Sequence, residues 1–345
     1  YYLSEETQRL EGFQSTLAPT GVSWQNSKTD SNAVYLHGIY TINNDWKVAI
    51  GLRQSNDEKK VHQSGQAGFI ISQSYDEFAR AQWRNTSPMA SLMYHWSATA
   101  MSYLTYAEGY KAGGFQGQAP TAVAAKTPFN EELANNWELG LKLLWPEQNS
   151  TLNIALFDMD YQDLQILELL QTPTDPIGVV VTQNAASAHG RGIECEYMSD
   201  VGEHWRIHIN YAYLDATFDR FYLHSSDARV GNRLRNAPEH SGSIALSFHF
   251  STSTLSDAFI RYDHRFQDKV YQDPANLEGS AIDAYQLGNL RMQSGIVGSS
   301  WGLALWVNNV WGESYFIHKF PIGAVTNPAT PALPRTYGLD IRYRF

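Results

Sequence analysis

With 35 acidic against 25 basic side chains, this 345-residue chain carries a net charge of -10 and lacks the clustered basic surface of a nucleic-acid binder. Its single cysteine, Cys195, rules out an intrachain disulfide framework, and no run approaches the roughly 18 apolar residues of a membrane-spanning helix. The 20 Tyr, 15 Phe and 10 Trp are abundant enough to line an apolar/polar boundary, as rings do at a membrane interface.

Period-two alternation is the recurrent pattern. Taken in chain order, Trp46, Val48, Ile50 and Leu52 share one face of WKVAIGLR. Trp137, Leu139, Leu141, Leu143 and Trp145 share one face of WELGLKLLW. Ile193, Cys195 and Tyr197 oppose Glu194 and Glu196, and Trp205, Ile207, Ile209 and Tyr211 oppose His204, Arg206, His208 and Asn210. Ile244, Leu246, Phe248 and Phe250 follow the same rule, as do Leu339, Ile341, Tyr343 and Phe345 at the end. In LNIALFDMDY both faces carry apolar residues, which predicts a bulge or the strand's exit from an apolar layer. The pattern predicts strands near 34–42, 46–53, 89–96, 100–107, 137–145, 150–161, 190–198, 204–215, 242–250, 258–269, 285–296, 301–312 and 336–345.

Alternation alone also suits a soluble β-sandwich. Connection lengths separate the two, because short gaps (43–45, 97–99, 146–149, 199–203, 297–300) alternate with long ones (54–88, 108–136, 162–189, 216–241, 313–335). An outer-membrane barrel has this rhythm, with tight periplasmic turns and long external loops, and strands of this length cross a bilayer when tilted. The expected fold is therefore all-β, a transmembrane antiparallel β-barrel. Thirteen strands are odd, whereas single-chain bacterial barrels are even. Either residues 1–14 add a strand and close a small barrel of about 14, or the chain is the C-terminal part of a larger one. YYLSEETQRLEGF is highly charged for a membrane strand, which favours the second reading.

Several segments together resemble TonB-dependent outer-membrane receptors: IGLRQSNDEKK (50–60), YAEGYKAGGF (106–115), NNWELGLK (135–142) and QNAASAHGRGIECEY (183–197). NRLRNAPEHSGSIAL (232–246), WVNNVWGESYF (306–316) and PRTYGLDIRYRF (334–345) continue the series. The resemblance implies that residues 1–345 are the C-terminal portion of a barrel of about 22 strands. The N-terminal plug domain, the TonB box and the first strands are expected to lie outside this sequence. It implies iron transport by ferric-siderophore uptake, with the TonB complex as partner through the plug and no cofactor. The alternative is a passive porin or channel of about 14 strands. Leu339, Ile341, Tyr343 and Phe345 would serve the barrel-assembly machinery as an assembly signal, besides facing lipid.

Ferric siderophores are bulky, often anionic chelates, so their site is expected to offer aromatic faces and cations on external loops. Arg220, Tyr222, His224, Arg229, Arg233 and Arg235 form the densest such mixture, and Lys111, Phe115, Tyr271, Tyr315, His318 and Lys319 are further candidates. Loop arginines could equally pair with lipopolysaccharide phosphates or neighbouring acids. No catalytic or metal constellation emerges. Gly298-Ser299-Ser300-Trp301-Gly302 fits G-x-S-x-G, but an alternating strand follows where a nucleophile elbow needs a helix. His204 and His208 on one strand are about 13 Å apart at about 3.3 Å per residue, too far to share a metal. Cys195 on the apolar face reads as an inert thiol.

Overall fold

The computed structural model describes residues 2–15, 18–68, 71, 73–172, 175–221, 229–319 and 328–345. Its wall is one antiparallel sheet of fourteen strands, each paired with its neighbours along the chain. They are β1 (Tyr2–Ser15), β2 (Ala18–Thr41), β3 (Trp46–Gln66), β4 (Tyr75–Ser97), β5 (Ala100–Lys111), β6 (Glu132–Trp145), β7 (Ser150–Thr172), β8 (Asp175–Val201), β9 (Trp205–Phe221), β10 (His240–Phe250), β11 (Leu255–Gln267), β14 (Tyr285–Ile296), β15 (Trp301–Asn308) and β18 (Thr336–Tyr343). Two small hairpins, β12 (Val270–Tyr271) with β13 (Ala281–Ile282) and β16 (Phe316–Lys319) with β17 (Ala329–Pro331), stand in the outer loops, beside one short helix, α1 (Ala122–Lys126).

The register turns the alternation into two chemically opposite faces. Leu92, Leu104, Leu139, Leu156 and Ile193 are successive cross-strand partners, and the first four are exposed. On the other face Lys142, Asn153, Glu196, Asn210, Ser243 and Arg265 form a polar row across six strands. A soluble sheet would cover the apolar face with a second layer; here lipid does so, and the backbone groups are satisfied strand to strand. Aromatic pairs mark the short-turn end: Trp46 with Tyr94, Trp205 with Phe248, and Trp301 with Tyr343, at centroid distances of 4.6, 4.9 and 4.9 Å. Tight turns close that end, with Asn149 and the glycines Gly202 and Gly298 at positive φ. Gly140 is required for a different reason: the ring of its inward partner Tyr103 lies 2.1 Å from where a Cβ would sit.

A strand lies at each of the thirteen expected positions and β1 makes a fourteenth in the sheet; several run much farther outward than the alternation indicated. β3 continues to Gln66 and β4 begins at Tyr75, so most of the expected loop 54–88 is a hairpin. Beyond the lipid both faces meet water, so the apolar/polar signal fades while the hydrogen-bond ladder continues. The same reasoning explains β1. β1 is regular ladder in this outer region and pairs with the outer part of β2, from Tyr2 opposite Asn32 upward. The β2 edge over 33–41 has no partner on that side among the described residues, and Val34, Leu36 and Tyr40 are each more than 70% exposed. No bulge interrupts 152–161, where the β7–β8 register is continuous; a shift comes just beyond, between Tyr161 and Leu164, with Asp163 at a φ of 52°.

Candidate functional site

A buried apolar cluster lies at the outer end of the wall. Ile166, Ala186, Ala188, Phe218 and Phe221, with Leu234 against them, knit the outer ends of β7, β8 and β9 to the loop that follows β9. The outer loops form two assemblies.

The first is the 112–131 loop, which lies as a strap from β3 to β8. The Gln116 side chain donates to Thr182 O (2.6 Å) and accepts from Thr182 N (2.8 Å), while its main-chain oxygen accepts from Gln25 (3.1 Å) and Gln63 (2.5 Å). Tyr75 donates to Ala119 O at 2.8 Å, and the Thr121 hydroxyl caps α1 through Ala124 N. Gly113 lies flat on Trp83, where a Cβ would come within 2.4 Å of the indole nitrogen. Of the expected ligand residues, Phe115 stands edge-on to Trp83 at 6.5 Å, and Lys111 pairs with Glu132 at 3.4 Å. Lys59 reaches over Trp83 at 5.8 Å; burial lowers its pKa, outweighing the attraction of Asp57.

The second assembly joins residues 229–239, 268–284 and 315–319. Asn276 accepts from Arg233 N (2.8 Å) and donates to Arg233 O (3.0 Å). Gln272 donates to Asn236 (3.1 Å) and accepts from Lys319 N (2.8 Å). Here the expected residues separate by role. The Arg233 guanidinium is taken up by Glu239, and Arg229 lies over the Phe221 ring at 4.5 Å. Tyr271 covers Lys269, which binds Glu278 at 2.7 Å and holds that carboxyl below its ordinary range. Lys319 sits over Phe316 at 4.9 Å, and His318 and Arg220 are exposed. Arg235 keeps a buried Nε with no hydrogen-bond partner among the described residues, a donor that a ligand could satisfy. Tyr222 and His224 lie outside the described residues.

Tyr315 is stacked on Tyr285 at 4.2 Å, and Arg265 points a guanidinium nitrogen at its hydroxyl (3.4 Å). Arg265 also lines a cavity of about 590 Å³ in the polar wall, with Tyr103, Lys142, Asn153, Glu194 and Glu196. The Arg265–Tyr285–Tyr315 group thus stands where the loops meet the wall. Sequence reasoning named Tyr315 and missed Arg265, Tyr285, Trp83 and Gln116. Arg265 was findable, being in phase with the inward Arg261 and Asp263 on β11.

Lower in the wall several charges are paired. Arg206 with Asp200, Arg261 with Asp263 and Arg291 with Asp340 lie at 2.7, 2.6 and 3.1 Å, and His208 meets Glu196 at 3.1 Å. No group of three or more metal-ligating side chains occurs among the described residues. The Gly298–Gly302 motif is a hairpin between β14 and β15, with a strand after it.

An antiparallel wall, apolar on one side and polar on the other, capped by loops with aromatic and cationic groups, is the architecture of a transmembrane β-barrel wall. The chain belongs to the TonB dependent receptor-like, beta-barrel family, whose model matches residues 2–310. Members of this family are bacterial outer-membrane proteins. The Ferrioxamine B receptor of Salmonella typhimurium is 24% identical over 206 residues, covering 60% of this chain and 27% of the relative. The ferric yersiniabactin uptake receptor FyuA from Yersinia pestis superposes with a TM-score of 0.84 at 19% identity, covering 100% of this chain and 50% of that one. The siderophore receptor PiuA from Acinetobacter baumannii gives 0.73 at 20% identity, covering 92% and 44%. The chain thus spans half the length of these proteins or less.

Proposed function

We propose that these residues form the C-terminal part of the barrel of an outer-membrane receptor for ferric-siderophore uptake. A plug domain, a TonB box and further strands would lie outside the sequence given. The unpartnered β2 edge supports the larger barrel, because an open ladder in hydrocarbon leaves backbone groups unsatisfied at several kcal/mol each. The same edge weighs against a passive channel of about 14 strands. In the proposed protein, energy arrives from the TonB complex through the plug, and the outward face of β18, with Leu339, Ile341, Tyr343 and Phe345, is read by the barrel-assembly machinery.

The observation that carries the ligand reading is the Arg265–Tyr285–Tyr315 group, a cation beside stacked rings at the boundary between loops and wall. It suits an anionic, partly aromatic chelate, and Arg235 supplies a second donor. The test is binding and uptake of radiolabelled ferric siderophores by the full-length protein. Replacing Arg265 with Ala, alone and with Tyr315→Phe, should weaken binding about 10- to 100-fold, or about 1.4 to 2.8 kcal/mol. Replacing Arg229, Arg233 and Arg235 together should also reduce uptake. Unchanged binding and uptake in both sets would remove this site.

A further inference from the structure

A second chamber opens on the polar side of the wall, far along the sheet from Arg265. On β3 the lipid-facing Trp46, Ile50 and Leu52 leave Arg53, Ser55 and Asp57 on the inner face. Tyr35 and Ser87 are the cross-strand partners of Arg53, and Ser31 and Trp83 are those of Asp57. A cavity of about 420 Å³ is bounded by Arg53, Ser55, Asp57 and Ser87 of the wall and by Tyr110 and Ala112 where β5 passes into the strap.

The chamber's cation stands apart from its acids. Asp57 accepts from the Ser31 hydroxyl at 2.5 Å, and Glu108, which also lines the cavity, accepts from Tyr106 at 2.6 Å. Arg53 is exposed, gives its Nε to the Ser55 hydroxyl at 3.0 Å, and meets no carboxylate within ion-pairing distance among the described residues. Arg206, Arg261 and Arg291 on the same inner face each hold one. The Tyr110 hydroxyl is buried and has no hydrogen-bond partner of good geometry among the described residues. Burial and the nearby Asp57 raise its pKa, so it keeps its proton and can donate. A guanidinium fork with hydroxyl donors beside it suits the oxygens of a carboxylate or a catecholate.

Distance separates this chamber from the Arg265 group. Eight strand intervals lie between β3 and β11, or about 38 Å of wall at about 4.8 Å each. A chelate that fits the cavity beside Arg265 cannot touch both arginines at once. Tyr110 and Ala112 stand on the outer side of the chamber, which opens to the lumen beneath the strap. We infer that the Arg53 chamber is a second anion site, which an anionic ferric chelate occupies during its passage along the inner wall and not at its capture. The inference rests on the ferric-chelate uptake proposed above.

The experiment uses the full-length protein in cells and two radiolabelled probes, an anionic ferric tris-catecholate and an uncharged ferric trihydroxamate. Arg53→Gln should lower the maximal uptake rate of the catecholate about 10-fold while its half-saturating concentration moves less than about two-fold, the split expected for a charge-assisted contact made after capture. Arg53→Lys should restore most of the rate, and uptake of the trihydroxamate should not respond to either change. Tyr110→Phe, which removes only the hydroxyl, should lower the catecholate rate about three-fold. Arg53 is exposed, and heat-modifiable mobility on gels verifies folding. A catecholate rate within about two-fold of native in both Arg53→Gln and Tyr110→Phe, an equal loss for both probes, or a change confined to half-saturation would overturn the inference. Native uptake of the trihydroxamate alone would overturn it as well. Uptake of neither probe by the native protein would overturn the ferric-chelate reading itself, a distinguishable result.

Discussion

Gln116→Ala tests whether the 112–131 strap is held mainly by one side chain. The substitution removes both hydrogen bonds to Thr182 and leaves the main-chain acceptor used by Gln25 and Gln63. Two part-buried bonds at about 1 kcal/mol each amount to about 2 kcal/mol, or about a 30-fold rise in the opened population of the strap. Hydrogen exchange read by mass spectrometry should therefore show about 30-fold faster exchange in peptides covering 112–131. The β10–β11 ladder, which shares no contact with Gln116, should be unaffected. Unchanged strap exchange would refute the assignment, and acceleration throughout the wall would mean that the residue supports the barrel rather than the loop.

Gly140→Ala should cost about 1 to 3 kcal/mol, because its Cβ would overlap the Tyr103 ring; denaturant titration of the refolded protein would show it, and an unchanged midpoint would contradict the packing. Cys195 pairs across strands with Ile154 and Tyr211 on the lipid face, so in membranes a lipid-soluble maleimide should label it and a charged thiol reagent should not. Faster reaction with the charged reagent would reverse the face assignment. Glu58 is lowered from 4.5 to about 2, chiefly by Lys60, with Gln82 and Arg80 adding to it. Its folded pKa is depressed, so its contribution to the outer β3–β4 ladder is fully present above 4.5 and is lost as pH falls toward about 2. Exchange of that hairpin, corrected for intrinsic rates, should hold steady down to about pH 5 and rise below 4.5 in the native protein but not in Glu58→Gln.

The wall was legible because lipid enforces a strict two-residue period. Trp137 through Trp145 could be assigned to a face without any neighbour. Above the lipid that constraint disappears, and Glu58, Lys60 and Arg80 read as loop although they lie in a regular ladder. The site was legible only in composition. Arg233 and Arg229 were as prominent in the sequence as Arg235, yet the first is paired with Glu239 and the second lies over Phe221. Such local pairings depend on which loops fold onto one another. Gln116 illustrates the limit: its partners in β2, β3 and β8 are far away in sequence, and nothing in its neighbourhood announces them.

The two tryptophans that bound the apolar face of β6, Trp137 and Trp145, carry a consequence for the host membrane. Their separation along the strand is about 26 Å, or about 20 Å of bilayer depth at a tilt near 40°. This is well short of the roughly 30 Å hydrocarbon thickness of an average bilayer. Hydrophobic mismatch would therefore penalise long acyl chains, and thin bilayers of short-chain lipid should accept this wall more readily than thick ones.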